Sequence, residues 1–146
     1  MENKSHLTAT SRYALSVPVR YLQILGHLKG KMLDYGCGRG FDCDTLECDS
    51  YDPYYRPEKP NDQYDTIFCV YVLNVIPEES ERQEVLDKVQ SLLLKDGEAY
   101  FAVRLGMKQG WTKKGTYQES VELELPVIKK TSTYRIHRME RTCTEK

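Results

Sequence analysis

The stretch Asp34-Tyr35-Gly36-Cys37-Gly38-Arg39-Gly40 follows a short apolar segment, 31–35, and decides the fold. Glycines at alternate positions allow backbone conformations with positive φ and let main-chain N–H groups approach a ligand closely. A short apolar run that ends in such glycines is typical of a buried strand entering a tight turn. A helix that begins just after the turn would favour a carboxylate or phosphate through its dipole. The glycines alone would also suit an ordinary strand-to-helix turn.

Apolar patterning on both sides of this turn predicts further strands and helices. They are, in chain order, a helix over 17–29, a strand over 31–35, a helix of at most two turns over 41–47, strands over 48–52 and 66–73, a helix between Pro77 and Gly97, a strand over 99–103, a loop over 105–117, and an antiparallel pair over 121–127 and 134–136. The continuous apolar run of 66–73 indicates a strand covered on both faces, at the centre of a parallel sheet. Strands that alternate with helices in this way predict an α/β fold with a mostly parallel sheet.

Composition limits the class of protein. A chain of 146 residues suits a single domain over 1–146. No stretch is apolar enough to span a membrane, and Met1 to Arg12 lacks the apolar core of a secretory signal. The five cysteines include no C-x-x-C pair, so neither a disulfide framework nor a metal site is predicted, and we expect a cytoplasmic protein.

A carboxylate at the end of the second strand extends the pattern. Asp52 follows Gly36 by sixteen residues, where an acid can accept hydrogen bonds from both hydroxyls of a ribose. Pro53 and the two tyrosines after it offer flat faces for an adenine. The alternative for Asp52 is a plain turn aspartate before proline. The nicotinamide-dinucleotide fingerprint G-x-G-x-x-G is broken, since Phe41 occupies the third glycine position.

Together these features resemble the class I S-adenosylmethionine-dependent methyltransferases. The glycine turn, the acid after the second strand, the stretch Val72-Leu73-Asn74-Val75-Ile76-Pro77 after the central strand, and Leu93-Leu94-Lys95-Asp96-Gly97 before the next all match that pattern. The resemblance implies a compact Rossmann-like fold and S-adenosyl-L-methionine as cofactor. It also implies which residues bind that cofactor: Asp34, Tyr35, Gly36, Cys37, Gly38, Gly40, Asp52, Pro53, Tyr71, Val72 and Asn74.

A narrower resemblance connects the chain to bacterial methyltransferase-like proteins associated with DNA phosphorothioation. It is carried, in matching order and spacing, by the segments 11–20, 34–40, 51–57, 71–76 and 115–118. Those proteins usually contain further sequence after this part.

Three residues are candidates for substrate contacts. Tyr13 and Arg20 precede the first strand, where an N-terminal segment could fold over the cofactor; packing and a surface cation are the alternative. Trp111 lies among lysines in the loop after the strand 99–103 and could stack on a base. Its alternative is a core tryptophan. No catalytic residue is predicted, since methyl transfer from a sulfonium needs no dedicated base.

The spacing also departs from the family. Only twelve residues, 53–64, separate Asp52 from Asp65, and they include three prolines, Pro53, Pro57 and Pro60, and show no helical periodicity. We therefore expect that the usual third strand and its helix are missing, together with the acid that contacts adenine. Asn61 or Asp62 is the candidate replacement.

Three functions follow as hypotheses. The first is methyl transfer from S-adenosylmethionine to an unidentified acceptor, and the second is a catalytically silent cofactor-binding or partner subunit. The third, a dinucleotide-dependent oxidoreductase, is disfavoured by Phe41. The last third of the chain, 104–146, carries ten Lys/Arg against five Asp/Glu, which is compatible with a nucleic-acid acceptor. The sequence does not determine the oligomeric state.

Overall fold

The computed structural model describes residues 4–9 and 14–142. Its regular elements are α1 Val17–Ile24, β1 Met32–Tyr35, α2 Phe41–Leu46, β2 Asp49–Tyr51, β3 Tyr64–Val70, α3 Glu79–Leu92, β4 Leu93–Arg104, β5 Gly110–Trp111, β6 Tyr117–Gln118, β7 Val127–Lys130 and β8 Tyr134–Glu140. Two 3₁₀ turns, Ser5–Thr8 and Leu73–Val75, accompany them.

Six strands form one sheet in the order β2-β1-β3-β4-β8-β7, while β5 and β6 form a separate ribbon. The strands β1 to β4 are parallel, β8 is antiparallel to β4, and β7 is antiparallel to β8. The predicted α/β architecture, with a mostly parallel sheet and an antiparallel C-terminal edge pair, is confirmed. The carboxyl ends of β1 to β4 meet at one edge, where open α/β sheets bind ligands.

The two faces of the sheet carry separate apolar cores. On one face α1 buries Val19 and Leu22 against Phe68 of β3. On the other face α3 buries Val89 against Ile67 and its neighbours. Because side chains alternate along a strand, Ile67 and Phe68 point to opposite cores. This double burial explains the continuous apolar run of the central strand.

Helix α1 is shorter than the predicted 17–29. It ends at Ile24 because Gly26 adopts the left-handed conformation, with φ 76°, that commonly terminates helices. Ser16 is the N-cap residue, as its position predicts. Its hydroxyl, however, donates to the Asp42 carboxylate of α2 (2.7 Å) instead of capping α1, so the start of α1 is fixed to α2.

Two strand boundaries also differ from the prediction. β3 ends at Val70 instead of 73, because Tyr71 takes φ 60° and turns the chain out of the strand. β4 begins at Leu93 instead of Ala99, because the chain enters the sheet directly after α3 and pairs with the start of β3. The loop predicted over 105–117 contains the short strand β5.

The first strand of the edge pair was predicted over 121–127, and that extent is wrong. The strand begins only at Val127. The carbonyls of Val121 and Leu125 instead accept hydrogen bonds from the side chains of Arg135 (2.7 Å) and His137 (3.0 Å) on β8. Side chains of β8 therefore hold this segment where a backbone ladder was expected.

The connection between β2 and β3 is described throughout, and it contains neither a strand nor an α-helix. The predicted absence of a third strand and its helix is confirmed. Hydrogen bonds between the backbones of Asp52 and Arg56 (both 3.0 Å) close a tight turn at its start. Among the described helices, none is long and apolar enough to cross a membrane.

Candidate functional site

A cavity of about 1140 Å³ opens where β1, β2, β3 and β4 end. All eleven residues that the sequence assigns to the cofactor line it: Asp34, Tyr35, Gly36, Cys37, Gly38, Gly40, Asp52, Pro53, Tyr71, Val72 and Asn74. Ligand cavities usually measure about 300–1,000 Å³. This cavity therefore has room for a cofactor and for the reacting part of a second molecule.

The glycine turn needs its glycines for two reasons. Gly36, Gly38 and Gly40 all have positive φ (87°, 56° and 90°), which disfavours other residues. A Cβ on Gly36 would also collide with the Val72 side chain. The N–H groups of Gly36 and Cys37 donate to the carbonyl of Tyr51 (2.7 and 3.0 Å), so the turn is fixed to the end of β2.

The Asp52 carboxylate joins the glycine turn to the loop after β2. One oxygen accepts the N–H of Gly38 (3.0 Å), and the other accepts the N–H groups of Tyr54 (3.0 Å) and Tyr55 (2.9 Å). A carboxylate offers about four acceptor positions. One position therefore remains for a ligand, enough for a single ribose hydroxyl.

Asp34 is the least compensated acid of the cavity. It is buried at the end of β1, and no hydrogen bond reaches its carboxylate from residues 4–9 or 14–142. Burial raises its pKa well above the usual range, and the nearby Cys43, Asp42 and Asp52 raise it further. A cation bound beside Asp34 would relieve this unfavourable environment.

Two cysteines lie at the base of the turn. The Cys37 thiol donates to the Gly38 carbonyl (3.6 Å) and the Cys43 thiol to the Gly40 carbonyl (3.2 Å). The neighbouring Cys37 thiol and the guanidinium of Arg56 lower the pKa of Cys43. The Arg56 side chain lies 3.4 Å from the Cys43 sulfur and forms two 2.8 Å hydrogen bonds with Asp44. Arg56 thus connects the loop after β2 to helix α2.

The segment after β3 forms the cavity floor. Tyr71 has a strained positive φ of 60°, and its ring lies under the Arg104 guanidinium, 4.9 Å from centroid to carbon. Asn74 is 2% exposed, and its amide oxygen has no hydrogen-bond partner among the described residues. Backbone strain and unsatisfied polar groups concentrate at functional sites.

The structure describes two of the three predicted substrate residues, and neither lines the main cavity. Tyr13 lies outside the described residues. Arg20 is on the exposed side of α1, because Val19 and Leu22 turn the other side to the sheet, and it does not line the cavity. Trp111 is 48% exposed, packs edge-on against Tyr117 (5.4 Å) and borders a smaller adjacent cavity of about 150 Å³. It is therefore not a core tryptophan.

The predicted replacements for the adenine-binding acid lie elsewhere. Asp62 forms an ion pair with Lys31, which precedes β1. Both residues are at the amino ends of their strands, opposite the cavity, and neither Asn61 nor Asp62 lines it. That prediction is wrong.

Several lining residues were not predicted. The N-terminal residues Ser5, His6, Thr8 and Ala9 reach the cavity, although no periodicity or motif marks them. Arg104 also lines the cavity, and its position at the end of β4 was a usable signal. Among the described residues, no group of His, Cys, Asp and Glu side chains could hold a metal ion.

Part of the sequence is similar to a known protein family. A family model described as 25S rRNA (adenine(2142)-N(1))-methyltransferase, Bmt2, matches residues 49–109. No curated protein matches the sequence.

Two solved structures are similar to this fold. Magnesium protoporphyrin IX methyltransferase from Synechocystis PCC 6803, with bound SAM, is 16% identical; the match covers 86% of this chain and 76% of that one, with a TM-score of 0.51. DhpI in complex with SAH is 14% identical, with 84% and 86% covered and a TM-score of 0.54. At these identities the likeness establishes the fold, and the chain has the Rossmann-like α/β fold of these two structures.

Proposed function

We propose that the chain binds S-adenosylmethionine (SAM) and transfers its methyl group to a nucleic acid. One observation carries the proposal: the Gly38 N–H donates to the Asp52 carboxylate (3.0 Å) at the cavity wall. The turn expected to hold the aminocarboxylate and the acid expected to hold the ribose are thereby adjacent. The methyltransferase fold of the chain supports the same conclusion.

The lining residues fit such a cofactor. Gly36, Gly38 and Gly40 hold the turn at the cavity wall in positive-φ conformations, Asp52 keeps one acceptor position, and buried Asp34 favours a cationic neighbour. The bound cofactor would supply a methyl group on a sulfonium, which is an activated carbon electrophile. It also carries the ammonium that a buried carboxylate requires.

The chain's own contribution is alignment and exclusion of water. Tyr71 to Asn74 would form the floor on which the acceptor meets the methyl group, and correct orientation alone can lower such a barrier by several kcal/mol. Asn74 belongs to this floor, and its buried amide oxygen has no partner among the described residues. No side chain has to act as a base.

Two observations favour a nucleic acid as acceptor. The family model that matches residues 49–109 is that of an rRNA methyltransferase. Four cationic side chains, Arg39, Lys59, Lys88 and Arg104, line the cavity and can contact phosphates. The narrower resemblance to DNA-phosphorothioation-associated proteins rests on the sequence motifs alone and remains a prediction.

A silent cofactor-binding subunit is the second candidate. The missing third strand favours this candidate, because a shortened sheet offers fewer residues to contact a cofactor. The two candidates differ in turnover, whereas both require SAM to bind.

A methyl-transfer screen separates them. Tritiated SAM is incubated with the protein and, separately, with RNA, DNA, protein extract and small metabolites. We expect label in RNA, with incorporation that falls as salt rises, and none with the Asp52→Ala variant. Label in no fraction, although SAM binds, would favour the silent subunit. Label only in protein or metabolites would contradict a nucleic-acid acceptor.

A further inference from the structure

The N-terminal segment Lys4–Ala9, here called the strap, crosses the rim of the cavity. The imidazole of His6 lies flat on the phenol ring of Tyr54, with ring centroids 3.8 Å apart and planes 5° from parallel. The Tyr55 hydroxyl donates to the His6 carbonyl (3.4 Å). The strap is therefore attached to the loop after β2 through both a ring and a backbone group.

Tyr54 lies next to the acid that is expected to hold the ribose of the cofactor. Its N–H donates to Asp52 (3.0 Å), the acid with one free acceptor position for a ribose hydroxyl. A base attached to that ribose must lie beside the same loop. The rings of Tyr54 and Tyr55 are almost perpendicular (centroids 4.8 Å apart, 78°), so Tyr55 does not stack on the face of Tyr54 that His6 covers.

The stack of His6 on Tyr54 leaves no gap for a base between them. A planar ring inserted between two others needs about 7 Å, twice the van der Waals separation of about 3.5 Å. The observed separation is 3.8 Å. A base can use this face of Tyr54 only if it replaces His6.

We propose that in the free protein His6 occupies the face of Tyr54 on which the adenine is expected to stack, so that His6 is an internal competitor of the base. This inference rests on the proposed SAM function. The chain also lacks the usual third strand and its adenine contacts. In this proposal the loop after β2 supplies a stacking surface for the adenine, and the strap covers that surface in the free protein.

Competition of this kind has a predictable size. An aromatic pair contributes about 0.5–1.5 kcal/mol beyond burial, and about 1.4 kcal/mol is a factor of ten, so the stack should weaken cofactor binding about 2- to 10-fold. The apparent dissociation constant of a ligand rises in proportion as its competent state becomes rarer.

Calorimetry with S-adenosylhomocysteine tests the proposal on the wild type and three variants. We expect His6→Ala to bind about 2- to 10-fold more tightly and Tyr54→Ala to bind about 10-fold more weakly. Leu7→Ala is the matched control, because Leu7 is in the same strap, is 53% exposed and does not line the cavity; we expect no change. Weaker or unchanged binding by His6→Ala overturns the proposal, as does unchanged binding by Tyr54→Ala.

A second readout does not depend on any variant folding. The ring current of Tyr54 should shift the His6 imidazole proton resonances upfield, and titration with S-adenosylhomocysteine should move them to unstacked positions. Resonances that stay in place while the ligand binds overturn the inference and leave the proposed function intact. Absence of binding to both the wild type and His6→Ala removes both.

Discussion

The acids of the cavity differ in how far the protein already satisfies them. Asp52 accepts three backbone N–H groups, so most of its capacity stabilises the loop. Asp34 is buried, and none of the described residues donates a hydrogen bond to it. Position at the end of a strand predicted Asp52 as a site residue, and the family resemblance implied Asp34. The division of roles between them depends on neighbours distant in sequence, which no local pattern contains.

The raised pKa of Asp34 predicts a pH-dependent affinity. Burial favours its protonated form in the free protein, whereas a bound ammonium favours the carboxylate, so binding should release a proton. Affinity for S-adenosylhomocysteine should therefore rise with pH until Asp34 is ionised in the free protein too. Calorimetry across pH 5.5–8 measures the slope. An Asp34→Asn variant should bind more weakly without this slope, and a slope that persists would contradict the assignment.

Substitution of Gly36 tests the close approach at the turn. Gly36→Ala places a methyl group against Val72, whereas Gly26 has a comparable positive φ (76° against 87°) but open space around it. We expect Gly26→Ala to cost about 1–2 kcal/mol of unfolding free energy and Gly36→Ala at least about 1 kcal/mol more. Urea unfolding measures both. The Val72→Ala background should reduce the additional cost, and equal costs for the two glycines would refute the clash.

At the scale of elements, the connection between β2 and β3 is the unusual part. Its length and prolines predicted a loop without a strand or helix, and the structure agrees. The side chain that anchors it was not predicted. Arg56 donates to Asp44, to the carbonyl of Arg39 (3.3 Å) and to Ser50 (3.4 Å), and so joins the loop to α2 and the glycine turn.

Removal of the Arg56 anchor should loosen this connection. Arg56→Ala should lower the unfolding free energy by about 1–2 kcal/mol, a modest amount because the ion pair with Asp44 is partly exposed. Arg56→Lys keeps the charge but loses the planar fork, so it should restore less than half of the loss. Arg20→Ala, on the exposed side of α1, should have almost no effect in the same urea titration. Full restoration by lysine would show that only charge matters.

The edge pair contains a second anchored segment, and its stability should depend on pH. His137 is fully buried, donates to Leu125 and accepts from Arg135 (2.9 Å), and burial lowers its pKa below the ordinary 6.5. Between pH 6.5 and the lowered pKa of the folded protein, His137 is protonated in the unfolded chain but not in the folded protein. The free energy of unfolding should therefore fall as the pH falls through this range. Urea titrations between pH 7.5 and 5 should show this loss, and His137→Gln should show less of it. An equal loss in both proteins would assign the effect to other groups.

At the scale of the molecule, sequence patterns predicted the parts that depend on local order. The glycine turn, the acid after β2 and the apolar run of β3 predicted the sheet, and the family resemblance implied eleven residues that line the cavity. The strap could not be predicted, because residues 4–9 carry no periodicity and their contacts are with residues about fifty positions away. The prediction for Asp62 was wrong because this residue lies before the amino end of β3, whereas the cavity lies at the carboxyl ends of the strands. Residue type alone does not reveal at which end of a strand a residue lies.

The missing third strand makes cofactor binding the central question for the whole molecule. The chain should still bind a SAM analogue by itself if other parts replace the contacts of the missing strand. Those parts are the loop after β2, the glycine turn and the strap. A dinucleotide should not bind, because Phe41 interrupts the required glycine pattern.

Isothermal calorimetry of the purified protein with S-adenosylhomocysteine and with NAD tests this claim most directly. Glu58→Gln, an exposed change in the same loop as Asp52, provides the matched control for Asp52→Ala. The predicted result is saturable binding of S-adenosylhomocysteine by the wild type and by Glu58→Gln, at least about tenfold weaker binding by Asp52→Ala, and no binding of NAD. Binding of NAD alone, or S-adenosylhomocysteine binding that is indifferent to Asp52→Ala, would contradict the account.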